Sequence, residues 1–391
     1  MSSHALLSPS GASRWLACTP SARLEQLFPD SSGEAAKEGT VAHELGETLL
    51  SYHSKKIKKA AYNKAVKEIE ASPYYNADMQ NYMEGYAAFV MERYALAKKQ
   101  TKDAVLEIET KLDFSEYVPE GFGTGDASII ANGLLDIIDF KYGKGVQVSA
   151  VENKQMMLYA LGALAEFDIL YDIDTVRMTI YQPRIDNIST WDLSVKELRY
   201  WAETELKPRA AIAFTGEGDF VPGDHCRFCR AKAQCKALAA ENLKLAKYDF
   251  QNGELLTEDD IADILSRADA FKKWISAVEE YALKEAVDNG RVWPGYKLVE
   301  GRSNRVYVNQ DEVAKRLIEN GIPEAIIYTK SLLGITAMEK AVTKKLFEET
   351  CSDLVIKPQG KPTLVPLSDK RPALDSTESA INDFKNEPLN N

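Results

Sequence analysis

Three side chains between Gly121 and Gly145 have the chemistry of a hydrolytic metal site: Asp126, Asp139 and Lys141. The Asn132-Gly133 pair between two apolar runs signals a tight hairpin. The spacing predicts strands over 127–131 and 134–140, with Asp126 opening the first and Asp139 and Lys141 closing the second. Residues 139 and 141 should point the same way, because side chains alternate along a strand. Two carboxylates and an ammonium would then converge on one end of a sheet. Carboxylates bind hard cations such as Mg²⁺ or Mn²⁺. Such cations neutralise charge when a phosphodiester is cleaved and acidify an attacking water. A lysine beside them can orient or deprotonate that water and stabilise developing charge. Gly121, Gly123 and Gly125 would let a nucleic-acid backbone come close; they precede a strand rather than a helix, which argues against a dinucleotide loop. An Asp-X-Lys tripeptide occurs in many strands by chance, so its weight depends on its surroundings.

The cysteines form a second constellation. Cys226, Cys229 and Cys235 make a C-x₂-C-x₅-C group, and Cys18 lies far upstream. In a reducing compartment such spacing points to metal or redox chemistry rather than disulfides. The group lacks the second Cys-x₂-Cys of a zinc ribbon and suits a cubane cluster, which takes four thiolates. Zn²⁺ on the same four thiols, or on three with His225, is the alternative. Cys351 fits neither pattern and reads as a simple buried or free thiol.

The elements that must position these groups follow from periodicity. Gly11 to Leu16 reads as a short helix, and Thr40 as the cap of a helix carrying His43, Glu47 and Leu50. A helix over 74–99 precedes a strand at 105–109, the 127–140 hairpin, a helix over 152–167, a strand over 175–181 and a helix over 195–214. The expected fold is therefore α/β, a mixed central sheet flanked by helices, within a domain of residues 1–245. Residues 246–356 read as a mainly helical accessory domain with a hairpin near 295–309, and 357–391 as an extended or disordered tail. No apolar run approaches the roughly 20 residues of a bilayer span. The start, MSSHALLSPSGASRW, lacks the features of a secretory signal. A cytoplasmic location, in a bacterium or a phage-infected cell, is the resulting expectation. The net charge of −11 counts against a protein that coats DNA by charge alone, though not against a local basic channel. Lys55, Lys56, Lys58 and Lys59, and the group Arg227, Arg230 and Lys232, are candidate pieces, beside the simpler reading of solvated faces.

Gly39-Thr40-Val41-Ala42-His43, Gly123-Thr124-Gly125-Asp126, Ile138-Asp139-Phe140-Lys141 and Gln155-Met156-Met157-Leu158-Tyr159 occur in the order of the RecB-like branch of the PD-(D/E)XK nuclease superfamily. The chain resembles that branch over roughly residues 10–240. The resemblance implies that His43, Asp126, Asp139 and the backbone carbonyl of Phe140 ligate a metal. It further implies that Lys141 is the catalytic lysine and that Gln155 and Tyr159, which share a helix face, lean over the site. Glu109 and Glu47 are secondary candidates, while His4, His53 and His225 have no comparable claim. One cysteine before the core and three after it is similar to the iron–sulfur members, which include the AddB-type subunit and the CRISPR-adaptation nucleases. That implies a 4Fe–4S clasp on Cys18, Cys226, Cys229 and Cys235, closing a loop of about 200 residues. The layout resembles an uncharacterised phage- and prophage-associated family.

The expected activity is thus a Mg²⁺- or Mn²⁺-dependent DNA nuclease, an exonuclease on DNA ends or single strands in recombination, replication or repair. A non-catalytic DNA-binding or scaffold module retaining the fold is the alternative, disfavoured because both aspartates and the lysine are kept. In the second domain Tyr296, Lys297, Arg302, Arg305 and Tyr307 could stack on bases and hold phosphates, or the aromatics could belong to a local core. Those helices could also dock a single-strand-binding or recombinase protein. No membrane partner is expected.

Overall fold

The computed structural model describes residues 5–29, 33–244, 256–299, 308–328 and 332–355. Two compact units divide the chain, Met1–Asp288 and Asn289–Asn391. The first extends past the expected limit of 245. It takes in a 31-residue helix, Glu258–Asp288, whose Arg267 lies 3.5 Å from Glu241 of the preceding helix.

The first unit opens with α1 (Ala12–Ala17), α2 (Ser21–Glu25), α3 (Glu34–His53), α4 (Lys59–Glu70) and α5 (Ala77–Gln100). Strands β1 (Val105–Asp113), β2 (Phe122–Ala131) and β3 (Leu134–Phe140) follow, then α6 (Lys154–Phe167), β4 (Thr175–Gln182) and β5 (Asn187–Ser194). The unit continues through α7 (Val195–Trp201), a π-turn at Ala202–Leu206, α8 (Lys207–Thr215), α9 (Lys236–Asn242) and α10 (Glu258–Asp288). The strands form one mixed sheet in sequence order; β3 and β4 are parallel and the other neighbours antiparallel. A parallel pair needs a crossover, and α6 supplies it.

Strand alternation builds two cores on the two faces of the sheet. Ile130, Ile137 and Val176 pack with α6, α7 and the N-terminal helices, whereas Ile129, Ile138 and Phe140 pack with α3 and α5. The alternation breaks in β1. Leu106 packs with α3 and α5, yet Leu112, six residues on, packs on the α6 face. Between them Glu109 adopts a left-handed φ of 48°. The β1–β2 ladder passes from Ile108–Ala127 to Thr110–Gly125, so Glu109 and Asp126 stand opposite one another without pairing.

Several expected elements shift. Helix α3 begins at Glu34, and Thr40 sits inside it with its hydroxyl bonded back to Ala36 O at 3.1 Å. The run Glu34-Ala35-Ala36-Lys37-Glu38 is rich in helix formers, which carry the helix past the proposed cap. Asp126 lies in the middle of β2 rather than at its start. The long helix expected over 195–214 is interrupted by the π-turn just before Pro208, whose missing N–H cannot continue the ladder.

The second unit, among its described residues, has helices Gln310–Glu319, Glu324–Ile327, Ile335–Val342 and Lys344–Cys351. The expected hairpin does not form a strand over 296–299, and its second arm at 305–308 lies largely outside the described residues. The tail expected over 357–391 also lies outside them. Among the described residues no helix is long and apolar enough to cross a membrane.

Candidate active site and thiol site

His43 extends from α3 over the interrupted part of the sheet. Its Nδ1 lies 3.2 Å from Asp126 Oδ1 and 3.9 Å from Glu109 Oε1. Ligand atoms of His43, Glu109 and Asp126 all fall within 4.8 Å of one another. Two acids directly opposed across a ladder repel one another, and a cation between them removes that penalty. The His43 ring, set between both carboxylates, can play that part when protonated. Burial would lower its pKa, but Asp126 and then Glu109 outweigh burial and raise it to about 10. His43 thus stands protonated where a divalent cation would bring two charges. Its ring also packs edge-on against Phe140 at 5.2 Å.

Asp139 and Lys141 form the adjoining half. Lys141 Nζ lies 2.9 Å from Asp139 Oδ2. The amide of Gln155, on the first turn of α6, binds both partners: its Oε1 accepts from Lys141 Nζ at 3.1 Å and its Nε2 donates to Asp139 Oδ1 at 3.1 Å. The same Nε2 lies 3.0 Å from Tyr159 OH, one turn further along. Asn153 caps α6 through its side chain to Gln155 N and Met156 N, fixing where Gln155 points. Asp139 is buried, and that burial, reinforced by Asp126 against the pull of Lys141, raises its pKa to about 6. Burial would lower the pKa of Lys141, but Asp139 and Asp126 reverse this and raise it. Lys141 is therefore an ammonium ion at rest and serves charge stabilisation better than proton abstraction. Tyr159 is held neutral, chiefly by burial.

The two halves are joined through Phe140. Its N–H donates to Asp126 Oδ2 at 2.6 Å, and the next residue's N–H donates to Tyr181 O at 2.9 Å. Asp126 therefore caps the end of β3 where β2 leaves it. The donor set suits a hard divalent cation: two carboxylates and an imidazole within reach, with Asp139 Oδ2 buried and lacking a well-directed hydrogen bond. Asp139 itself faces Lys141 and Gln155, and Glu109 takes the place beside His43 and Asp126 that the sequence reading gave to Asp139. On their side-chain faces Gly123 and Gly125 abut protein rather than open space. A Cβ at Gly123 would come within 2.8 Å of Tyr159, and one at Gly125 within 2.8 Å of Leu112. These glycines serve internal packing.

Cys18, Cys226, Cys229 and Cys235 line one cavity together with Arg14, His225 and Lys232, and none is in a disulfide. Burial pushes the Cys229 thiol up to about 11. Thiolates in such a pocket need a positive centre among them, so four thiols on one cavity fit a four-thiolate metal group. The pocket is also held by contacts that need no cysteine. Buried Glu25 accepts from Arg14 Nε at 2.8 Å, near Cys18, and from Arg230 N at 2.8 Å, next to Cys229. Arg23 Nε binds Phe214 O, Thr19 Oγ1 binds Glu217 O and Arg209 binds Leu16 O, all at 2.6–2.8 Å. Cys351 belongs to the second unit and is half-buried.

Other expected residues, Glu47 excepted, stand apart from the carboxylate site. Lys55, Lys56, Lys58 and Lys59 are exposed around the α3–α4 junction, with Lys56 3.3 Å from Glu107. Arg227 lies over Phe228, and Lys232 donates to Arg227 O. Tyr296 and Lys297 are exposed residues of the second unit, and Arg302, Arg305 and Tyr307 lie outside the described residues. Glu47 lines the cavity beside His43, Glu109 and Asp126.

The model of the family described as "Protein of unknown function (DUF2800)" matches residues 4–372. The chain belongs to this family. A solved structure described as "Crystal structure of SSO0001" is 15% identical to this DUF2800 chain, covering 56% of it and 95% of its own length, with a TM-score of 0.23. A likeness that slight has no bearing on the fold.

Proposed function

We propose that this DUF2800 chain is a divalent-cation-dependent nuclease that hydrolyses DNA phosphodiester bonds, with a four-cysteine metal group clasping its first unit. The observation that supports it best is the Gln155 amide, which holds the carboxylate of Asp139 and the ammonium of Lys141 together beside the His43–Glu109–Asp126 group. A Mg²⁺ or Mn²⁺ ion there would neutralise the phosphate and make a bound water more acidic. His43, Glu109 and Asp126 would hold it, in a cavity that Phe140 also lines; the Asp139 carboxylate and the Phe140 carbonyl are the further ligands that the resemblance implies. Lys141, kept charged by Asp139 and Asp126, would stabilise the negative charge that grows on the phosphoryl oxygens. Gln155 would keep that ammonium aimed, and the neutral hydroxyl of Tyr159 offers a further donor. The chain resembles RecB-like PD-(D/E)XK nucleases in these same residues, which is what turns a cation site into a nuclease proposal.

At the cysteines a 4Fe–4S cluster is the proposed occupant, in a structural role, with Zn²⁺ the competing ion. Anaerobic purification decides between them. Brown protein with stoichiometric iron supports the cluster, and colourless protein with zinc overturns it. The activity is tested with Mn²⁺ on end-labelled linear and on circular DNA, single- and double-stranded. Loss of linear substrate with circles intact supports an exonuclease. DNA bound but uncut under every divalent metal overturns the enzyme reading in favour of a binding module.

A further inference from the structure

Tyr86 lies on α5 beneath the carboxylates and is 2% exposed. Its ring is fixed on three sides: by Phe140 at 5.0 Å, by Tyr181 at 5.5 Å, and by α3 at Gly46, where an added Cβ would come within 3.5 Å of the ring. Those contacts place the ring, and none engages the hydroxyl. That hydroxyl has no hydrogen-bond partner among the described residues. A buried hydroxyl without a partner destabilises a fold, so such groups persist where something else satisfies them. Tyr86 lines a cavity of about 10 Å³ that it shares with His43, Glu47, Glu109 and Asp126, room for about one water molecule. Asp126, Asp139 and Glu109 all act on the phenol, adding to the burial that raises its pKa.

We infer that this cavity is the inner half of the cation site. A water coordinated to a divalent cation at His43, Glu109 and Asp126 fills it and donates a hydrogen bond to the Tyr86 oxygen. Tyr86 is then a positioning residue, acting on the cation through that water. That water, rather than the packing, explains why a tyrosine stands where a phenylalanine would fit the same apolar walls of Leu50, Met83 and Phe140. The protein leaves the hydroxyl unmet, and a cation with its water would satisfy it. The inference rests on the cation reading of this site.

The test is Tyr86→Phe, which keeps the ring and its packing and removes one oxygen. In chelator the variant should melt at or above the wild-type temperature, because no protein contact is lost. Its Kd for Mn²⁺ should rise about tenfold, as expected for loss of one hydrogen bond to a metal-bound water. A crystal structure of the Mn²⁺-loaded wild type should place a water within hydrogen-bond distance of the Tyr86 oxygen. Wild-type Mn²⁺ affinity in Tyr86→Phe overturns the inference, as does a marked fall in its chelated melting temperature, which would reveal a protein partner. Asp126→Ala separates this from failure of the cation reading: if Asp126→Ala also keeps wild-type Mn²⁺ affinity, the cation is not bound here at all.

Discussion

Glu109 and Asp126 face each other across β1 and β2 at the point where the ladder between them lapses, with His43 bridging both. This opposition of like charges is unfavourable in the bare fold and favourable once a cation sits between them. Glu109→Gln should therefore separate stability from binding. In chelator the variant should melt no lower than the wild type, while its Mn²⁺ affinity falls by about tenfold or more. Calorimetric titration and thermal melts read both quantities. Unchanged affinity would show that Glu109 is not a ligand.

Proton linkage gives a second expectation. A ligating histidine must be neutral, yet Asp126 and Glu109, against burial, push the His43 pKa up to about 10. Mn²⁺ should displace one proton between pH 7 and 9, and affinity should climb about tenfold per pH unit there. Below the Asp139 value of about 6 a second proton joins. The signs agree for stability. The raised His43 contributes stability that is full below its ordinary value of 6.5 and lost as pH rises through about 10. The raised Asp139 contributes stability present below 3.8 and lost as pH rises through about 6. His43 is partly exposed, and solvent damps its share. Calorimetry at pH 8 in two buffers of different ionisation enthalpy measures the displaced proton; none released would contradict the account.

Gln155→Ala removes the amide that spans Asp139 and Lys141 without removing either. Cleavage should slow by roughly ten- to a hundredfold, with Mn²⁺ affinity changed by less than about threefold. Steady-state kinetics beside metal titration checks this. A loss confined to metal affinity would move Gln155 from positioning to metal support.

The residues that the sequence made legible are those whose roles are local. The hairpin around Asn132-Gly133, the i and i+4 placement of Gln155 and Tyr159, and Asp139 with Lys141 at the end of β3 all follow from short-range periodicity. What escaped depends on tertiary placement. Glu109 is only a secondary candidate in the sequence, and its place beside His43 and Asp126 becomes visible where the ladder lapses at it. Tyr86 is one aromatic among several on α5, and nothing local marks its hydroxyl as unmet. Strand β5 is not legible in the sequence because it is an edge strand with Ile188 exposed, so its alternation is weak. Glu25 likewise gains meaning only from Arg230, 205 residues away.

That last contact bears on the proposed clasp. Glu25 is a buried carboxylate joining the segment of Cys18 to that of Cys229. Glu25→Ala should lower stability by about 3 kcal/mol, because Arg14 is left without its buried partner. Cys18→Ser should lose the metal group yet still unfold cooperatively, since the hydrogen-bonded docking of residues 14–25 survives. Denaturant melts with iron and zinc analysis distinguish the two. A Cys18→Ser chain that fails to fold would mean that the metal group alone closes the unit.

The central claim, that Asp139 and Lys141 act as a hydrolytic pair on DNA, meets its most direct test in one assay. Wild type, Asp139→Ala and Lys141→Ala are incubated with Mn²⁺ and end-labelled DNA under the same conditions. The account expects cleavage by the wild type and a loss of about a thousandfold or more in each variant, with folding intact. Wild-type cleavage persisting in both variants would contradict it.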